Sequence, residues 1–327
     1  MNRLSARRTI APWLAGAALL LTVGLAAPGG GTAPADAAAV GCDAGQSAAR
    51  ATRGMQGADP NSVTTPASRR MDGRLQQRVD RLVERGVLKS NGEPRTARRI
   101  TVPTHVHVIT APSGAVAVTR QQIREQIQVL NDAYGGRTST SSVQTPFRFK
   151  LVSTDVTVNR DWYFWHVGNK GESETAVAAK KALHQGGWGD LNIYIASLDD
   201  TILGYAQFPW QGNLALDGLV LSNQALPGGA YTGYDEGDTA THEIGHWLGL
   251  FHTFQNGCKK PGDLVADTPY QDDGDNIYEC NESDDTCTQP GSDPVHNFMS
   301  YGDDPCLDRF TRGQARRMVA AWLAFRA

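Results

Sequence analysis

One stretch constrains this chain more than any other: Thr241-His242-Glu243-Ile244-Gly245-His246-Trp247-Leu248-Gly249-Leu250-Phe251-His252. It carries the pattern H-E-x-x-H-x-x-G-x-x-H. Residues four apart share one face of a helix, so His242 and His246 can aim imidazole nitrogens at a single point. Zinc accepts histidine nitrogen at about 2.0–2.1 Å, and a catalytic site leaves one position open for water. Glu243, beside the first ligand, is placed to take a proton from that water. A straight helix cannot deliver a third ligand six residues after His246. Gly249 can break it, because glycine reaches left-handed backbone angles at little steric cost. His252 then completes the triad. The competing reading is a buried amphipathic helix with ordinary histidines; Gly249 and His252, both at the required spacing, argue against it.

The rest of the chain sets the context for that centre. Its 327 residues, 40% hydrophobic, are enough for a substantial core. Arg3, Arg7 and Arg8 precede an apolar run from Ala11 to Ala27, and small residues follow to Ala39. Residues 1–39 therefore read as a signal peptide, too short in its apolar part for a membrane span. The mature protein is expected to be exported, without stable membrane association. Residues 40–99 hold 12 Lys and Arg against 6 Asp and Glu, whereas residues 100–327 hold 16 against 27. That opposition points to a basic segment lying on an acidic body, and it disfavours nucleic acid as a partner.

Residues 40–99 read as a pro-segment. The portion up to Arg70 looks like loop, and Leu75, Val79, Leu82 and Val83 recur at helical spacing between Asp72 and Leu88. Arg95-Thr96-Ala97-Arg98-Arg99 looks like a processing linker. Residues 100–327 form the expected catalytic domain, opened by the strand pattern of Ile100 to Ile109. His105 and His107 on that strand are read as structural. A helix follows Thr119, strands run from Phe147 to Val158 and from Leu191 to Ile195, and a second helix covers Glu172 to Leu183. Leu203–Phe208 and Gly218–Leu221 are further strands, and Asp238 or Thr239 is expected to cap the metal helix. Strands followed by the metal helix give an α+β domain.

Beyond His252 the texture changes. Nine of the 23 residues from Asp263 to Asp285 are acidic. Such a stretch is either a solvated loop or a wrap around a hard cation such as calcium. Cys258, Cys280, Cys287 and Cys306 read as two disulfides, with three connectivities open. Thr311 to Phe325 is a terminal amphipathic helix.

The sequence closely resembles the pappalysin family of metzincin metallopeptidases, in its compact microbial form. The resemblance rests on His242 through Phe254, on Asn297-Phe298-Met299-Ser300-Tyr301, and on Leu203-Gly204-Tyr205-Ala206-Gln207-Phe208-Pro209. It implies a twisted, mostly parallel sheet with a backing helix and the active-site helix above the cleft. Below the cleft it implies an irregular, disulfide-bonded subdomain with a C-terminal helix. Met299 is then the Met-turn residue under the three histidines, and Tyr301 sits near the zinc to hydrogen-bond the oxyanion. The resemblance pairs Cys258 with Cys287 and Cys280 with Cys306. It also implies calcium near Asp267 and Thr268. Asp304 becomes the floor of a pocket that favours Arg or Lys on the leaving-group side.

The implied activity is a secreted zinc endopeptidase acting on polypeptides as a monomer, through water activated by Glu243 on the zinc. Leu203–Phe208 is expected to pair with the substrate main chain. A latent pro-form is expected, with Cys42 as a cysteine switch on the zinc and self-cleavage at Ala97–Arg98. A non-catalytic zinc-binding adhesive protein and a zinc hydrolase of non-peptide substrates are the alternative classes. The first conflicts with the complete set of catalytic residues, the second with the edge strand.

Overall fold

The structure is a computed structural model that describes residues 47–51, 63–96, 98–112, 118–168, 171–198 and 202–327. The expected signal peptide and Cys42 lie outside the described residues. In chain order the strands are β1 (Ser47–Ala51), β2 (Ile100–Thr110), β3 (Phe147–Val158), β4 (Phe164–Trp165), β5 (Val167–Gly168), β6 (Gly171–Glu172), β7 (Leu191–Leu198), β8 (Ile202–Gln207) and β9 (Leu219–Ser222). The helices are α1 (Thr65–Glu84), α2 (Arg120–Tyr134), α3 (Arg160–Tyr163), α4 (Glu174–Leu183), α5 (Asp238–Trp247) and α6 (Arg312–Phe325).

The main sheet runs β1-β8-β9-β7-β2-β3, and β4 adds beside β7. β2 is parallel to both β3 and β7, β7 is parallel to β9, and β8 turns antiparallel to β9. This is the mostly parallel sheet expected of an α+β domain. Parallel strands usually have both faces covered; β2, β7 and β9 do, whereas β3 turns Val152, Val156 and Val158 to solvent. Val102, Val106 and Val108 of β2 pack with Ile123 and Leu130 of α2 and with Ile244 of α5. Across the sheet, Ile109, Tyr194, Tyr205 and Val220 pack with Ala176 and Ala179 of α4.

Buried polar groups on β2 are satisfied by neighbouring strands. His107 Nδ1 lies 2.7 Å from Asp155 and its Nε2 lies 3.0 Å from Asn192 Oδ1, while His105 Nδ1 is 2.7 Å from Ser153 Oγ. Among the described residues, neither histidine belongs to a cluster able to hold a metal. Trp165 is 1% exposed and donates to Tyr205 Oη at 2.6 Å.

Several boundaries differ from the sequence reading, including the end of α1 at Glu84, the start of α4 at Glu174 and the end of β7 at Leu198. α1 begins at Thr65, five residues before the end of the expected loop, because Pro66 occupies the first turn, where its missing N–H costs nothing. Its buried Ala67 and Met71 continue the apolar stripe upstream of Leu75. β1 lies within the stretch read as loop and adds antiparallel to β8, with Ser47 opposite Gln207 and Ala49 opposite Tyr205.

After His252 the chain forms almost no regular structure until α6. Disulfides join Cys258 to Cys287 and Cys280 to Cys306. Among the described residues no helix is long and apolar enough to cross a membrane.

Candidate metal centre and catalytic cleft

α5 is buried along its whole length, and both of its ends are held by distant residues. Its N-terminus follows Gly237, at φ +101°. Asp304 Oδ2 accepts from the N–H groups of Glu236 at 2.9 Å, Gly237 at 3.0 Å and Asp238 at 3.4 Å. Neither Asp238 nor Thr239 caps the helix as expected: a carboxylate brought in from beyond the Met-turn neutralises the orphan amides instead. At the other end the chain turns at Gly249, φ +92°, where an added Cβ would press on Ala321 at 3.0 Å and Trp210 at 3.3 Å. Two arginines cap the carbonyl end: Arg326 Nε donates to Trp247 O at 2.9 Å and Arg317 Nε to Gly249 O at 2.8 Å.

The turn delivers His252 to the face that carries His242 and His246. His246 Nε2 lies 3.0 Å from His242 Nε2 and 3.1 Å from His252 Nε2. His242 Nδ1 faces the Phe298 carbonyl at 2.7 Å, and His246 Nδ1 faces the Leu250 carbonyl at 2.8 Å. A carbonyl oxygen only accepts, so both Nδ1 atoms must donate. Burial holds His246 down to about 4 and keeps His252 well below the usual imidazole range, so these two rings stay neutral at neutral pH. In a neutral ring whose proton sits on Nδ1, Nε2 presents a lone pair. Lone pairs facing one another at 3.0 Å repel, and a cation between them removes the conflict. The three-nitrogen donor set fits zinc.

His252 has a different support. Its ring stacks on Phe254 with centroids 4.7 Å apart and planes 7° apart. Tyr301 packs edge-on to both rings at 4.8 Å and reaches within 5.8 Å of the His242 ring. Met299 is fully buried under α5, and a Cβ on Gly245 would overlap its sulfur. Gly245 is therefore a clearance residue inside the helix. Asn297 fixes the Met-turn by accepting from Met299 N–H at 3.0 Å and by exchanging amide hydrogen bonds with Gln314 of α6 at 2.9 and 3.0 Å. Glu243 is fully buried beside His242.

Some residues singled out from sequence occupy other settings. Asp304 is 2% exposed and engaged with α5. Asp267 is exposed and caps α6 rather than facing a cation cavity, accepting from Thr311 Oγ and Gly313 N–H, each at 2.8 Å. Thr268 is buried and lines a cavity of about 400 Å³ with Asp263, Val265 and Tyr270. Asp263 Oδ2 is buried with no hydrogen-bond partner, and burial pushes its carboxyl from 3.8 up to about 7. Sequence reasoning passed over Gly245, Asn297, Asp263, Arg317 and Arg326. Asn297 stood inside a quoted motif and Gly245 at a helix-interior position, so those two carried a signal. The arginines of α6 looked like a solvated face.

Three histidine nitrogens on a buried helix and its turn, over a Met-turn and beside a mostly parallel sheet, define a metzincin-type metalloendopeptidase. A profile of the peptidase family described as pregnancy-associated plasma protein-A matches residues 185–323. An extracellular metalloprotease of Pyricularia oryzae is 40% identical over 70% of this chain and 77% of its own length. One from Arthroderma benhamiae is 37% identical over 71% of this chain and 75% of its own. Mature mirolysin of Tannerella forsythia, solved with a cleaved peptide, is 31% identical over 68% of this chain and 91% of that one, with a TM-score of 0.57. A promirolysin variant from the same organism is 28% identical over 79% and 89%, with a TM-score of 0.61. The chain belongs to the pappalysin family.

Removing the Asp304 carboxylate leaves buried amides at the α5 terminus unpaired, which costs about 1–3 kcal/mol. Asp304→Ala should therefore lower the melting temperature by several degrees, read by circular dichroism. An unchanged transition would remove this anchoring role.

Proposed function

We propose that this chain is a secreted zinc endopeptidase made as a latent pro-form, with Glu243 as the proton carrier. The observation that carries the reading is the confrontation of the His242 and His246 Nε2 lone pairs at 3.0 Å, with both Nδ1 protons locked on carbonyls. His242, His246 and His252 would hold zinc, which supplies Lewis-acid polarisation of the scissile carbonyl and of the attacking water. Glu243 takes a proton from that water and passes it to the leaving amine. Tyr301, packed against His242 and His252, donates to the developing oxyanion. β8 offers its main chain to an extended polypeptide, a mode of pairing indifferent to most side chains.

Latency has support from β1, which lies on the β8 main chain that a substrate would use. Residues 1–39 act as the export signal and residues 40–99 as the pro-segment. Cys42, a few residues ahead of β1, supplies a thiolate to the zinc until activation. Cleavage at Ala97–Arg98, in a linker whose Thr96, Arg98 and Arg99 are exposed, releases the catalytic domain. A preference for Arg or Lys after the cut completes the reading, with Asp304 supplying the carboxylate near the end of the Met-turn segment; the engagement of its Oδ2 by α5 weighs against this part.

Calcium is assigned to the 260–270 loop, with Asp263 and Thr268 as its residues. Asp263 fits a cation because its buried Oδ2 is unpartnered, whereas the Asp267 carboxylate is committed to α6.

Glu243→Ala should reduce hydrolysis of casein to background while zinc content, read by atomic absorption, stays at one per chain. The same variant should keep its pro-segment, whereas the active protein should acquire Arg98 as its N-terminus by mass spectrometry. A processed Glu243→Ala chain would refute self-activation, and a peptide-library profile indifferent to basic residues would remove the Asp304 pocket. Cys42→Ser should give a pro-form active before cleavage; equal latency would exclude the thiolate. Calcium should raise the melting temperature of the wild-type protein and leave Asp263→Asn unmoved, and an equal response in both would dismiss the loop site.

A further inference from the structure

Among the described residues, the basic segment docks through β1 and, separately, through α1. β1 pairs antiparallel with β8, from Ser47 opposite Gln207 to Ala51 opposite Ile202. α1 docks elsewhere, on a platform built from Phe208 and Trp210, just past the end of β8, from Phe251 and from Ala321 of α6. Val63, Ala67, Met71 and Leu75 insert there at 7, 1, 6 and 1% exposure. Phe208 stacks on Trp210 at 5.2 Å, and both rings pack on Phe251. Aromatic surface of this kind, once uncovered, is apolar area that water disfavours.

Polar contacts fix the register of the docked helix. Asp72 Oδ1 meets Arg317 Nη1 at 2.6 Å, and that guanidinium also holds the Gly249 carbonyl. Gln255 Nε2 donates to Val63 O at 2.7 Å. Arg78 donates to Ala324 O at 2.6 Å, and its guanidinium lies 4.2 Å from the Phe325 ring centroid. Leu88 is fully buried where it bridges Pro94, so packing continues up to the exposed linker.

We propose that the Trp210–Phe251–α6 platform is a docking surface for the excised segment 63–94, which stays bound as a separate chain after the linker is cut. This inference rests on reading residues 40–99 as a pro-segment. α1 is the anchor and the stretch ahead of it is the block. Cutting only the linker leaves β8 covered, because α1 keeps β1 at high effective concentration. Release of the cleft then requires a second cut between residues 51 and 63, after which α1 remains with the mature enzyme. The partner that fits the platform is a basic amphipathic helix with one acid placed to meet Arg317.

The test uses full-length Glu243→Ala protein with a site for a sequence-specific protease placed between Pro94 and Arg99. After cutting, a denaturing gel should show two pieces, while native mass spectrometry at micromolar concentration shows one complex. Leu75→Asp should weaken that complex at least about tenfold. Arg78→Ala serves if Leu75→Asp does not fold, and should speed release. Separation of the unsubstituted pieces at once overturns the proposal, as does a release rate unchanged in both variants. The same cut in protein with Glu243 intact should leave peptide turnover suppressed. Full activity in the uncut protein would instead refute the pro-form reading, whether or not the pieces stay together.

Discussion

Neutral imidazoles that present lone pairs to one another at hydrogen-bond distance are a conflict that the rest of this structure exists to maintain. Left alone, buried rings would rotate until each nitrogen found a partner. They are prevented by acceptors on their far sides, the Phe298 carbonyl behind His242 and the Leu250 carbonyl behind His246. Those carbonyls come from different places, one from the Met-turn and one from the turn after Gly249. The orientation of the donors therefore depends on the tertiary placement of both segments and not on helix geometry alone. α6 holds both. Gln314 grips Asn297 beside the Met-turn, while Arg317 and Arg326 hold carbonyls at the end of α5.

The sheet contributes direction more than chemistry. The parallel strands β2, β7 and β9 bury both faces, and β3 beside them turns one face to solvent. β8 breaks the pattern by running antiparallel at the edge, next to α5, and this reversal leaves main-chain donors and acceptors free to pair. In the structure β1 takes them up.

What could be read from sequence followed the range of the interactions. The histidine pattern, the strands of the parallel sheet and the apolar stripes of α2 and α6 are set by local spacing, and the structure has them where spacing puts them. The capping of α5 was not readable, because Asp304 arrives from 66 residues away and resembles any loop acid. The start of α1 was obscured by Pro66, a residue that signals loop inside an element but is favoured in a helix's first turn. Arg317 and Arg326 sit on a helix whose exposed neighbours are also arginines, so burial alone sets them apart. The family resemblance supplied the Met-turn and the disulfide pairing, which no periodicity encodes.

The acidic run after His252 shows why a count of carboxylates is a poor guide to cation binding. Several acids in and around it are committed to backbone amides and hydroxyls. Asp267 takes the first turn of α6, and Asp293 takes the Thr286 amide and hydroxyl. Asp304 takes the first turn of α5. Each satisfies orphan donors in a region where disulfides stand in for a hydrophobic core. Among the described acids of that run Asp263 is the buried one: one of its oxygens is satisfied by the Val265 amide, and the other makes no regular hydrogen bond, with the Thr268 hydroxyl beside it. A group in that condition either holds its proton, as the rise to about 7 indicates, or gives the site to a cation. In an acidic loop, then, the informative carboxylate is the one that the fold has left without work.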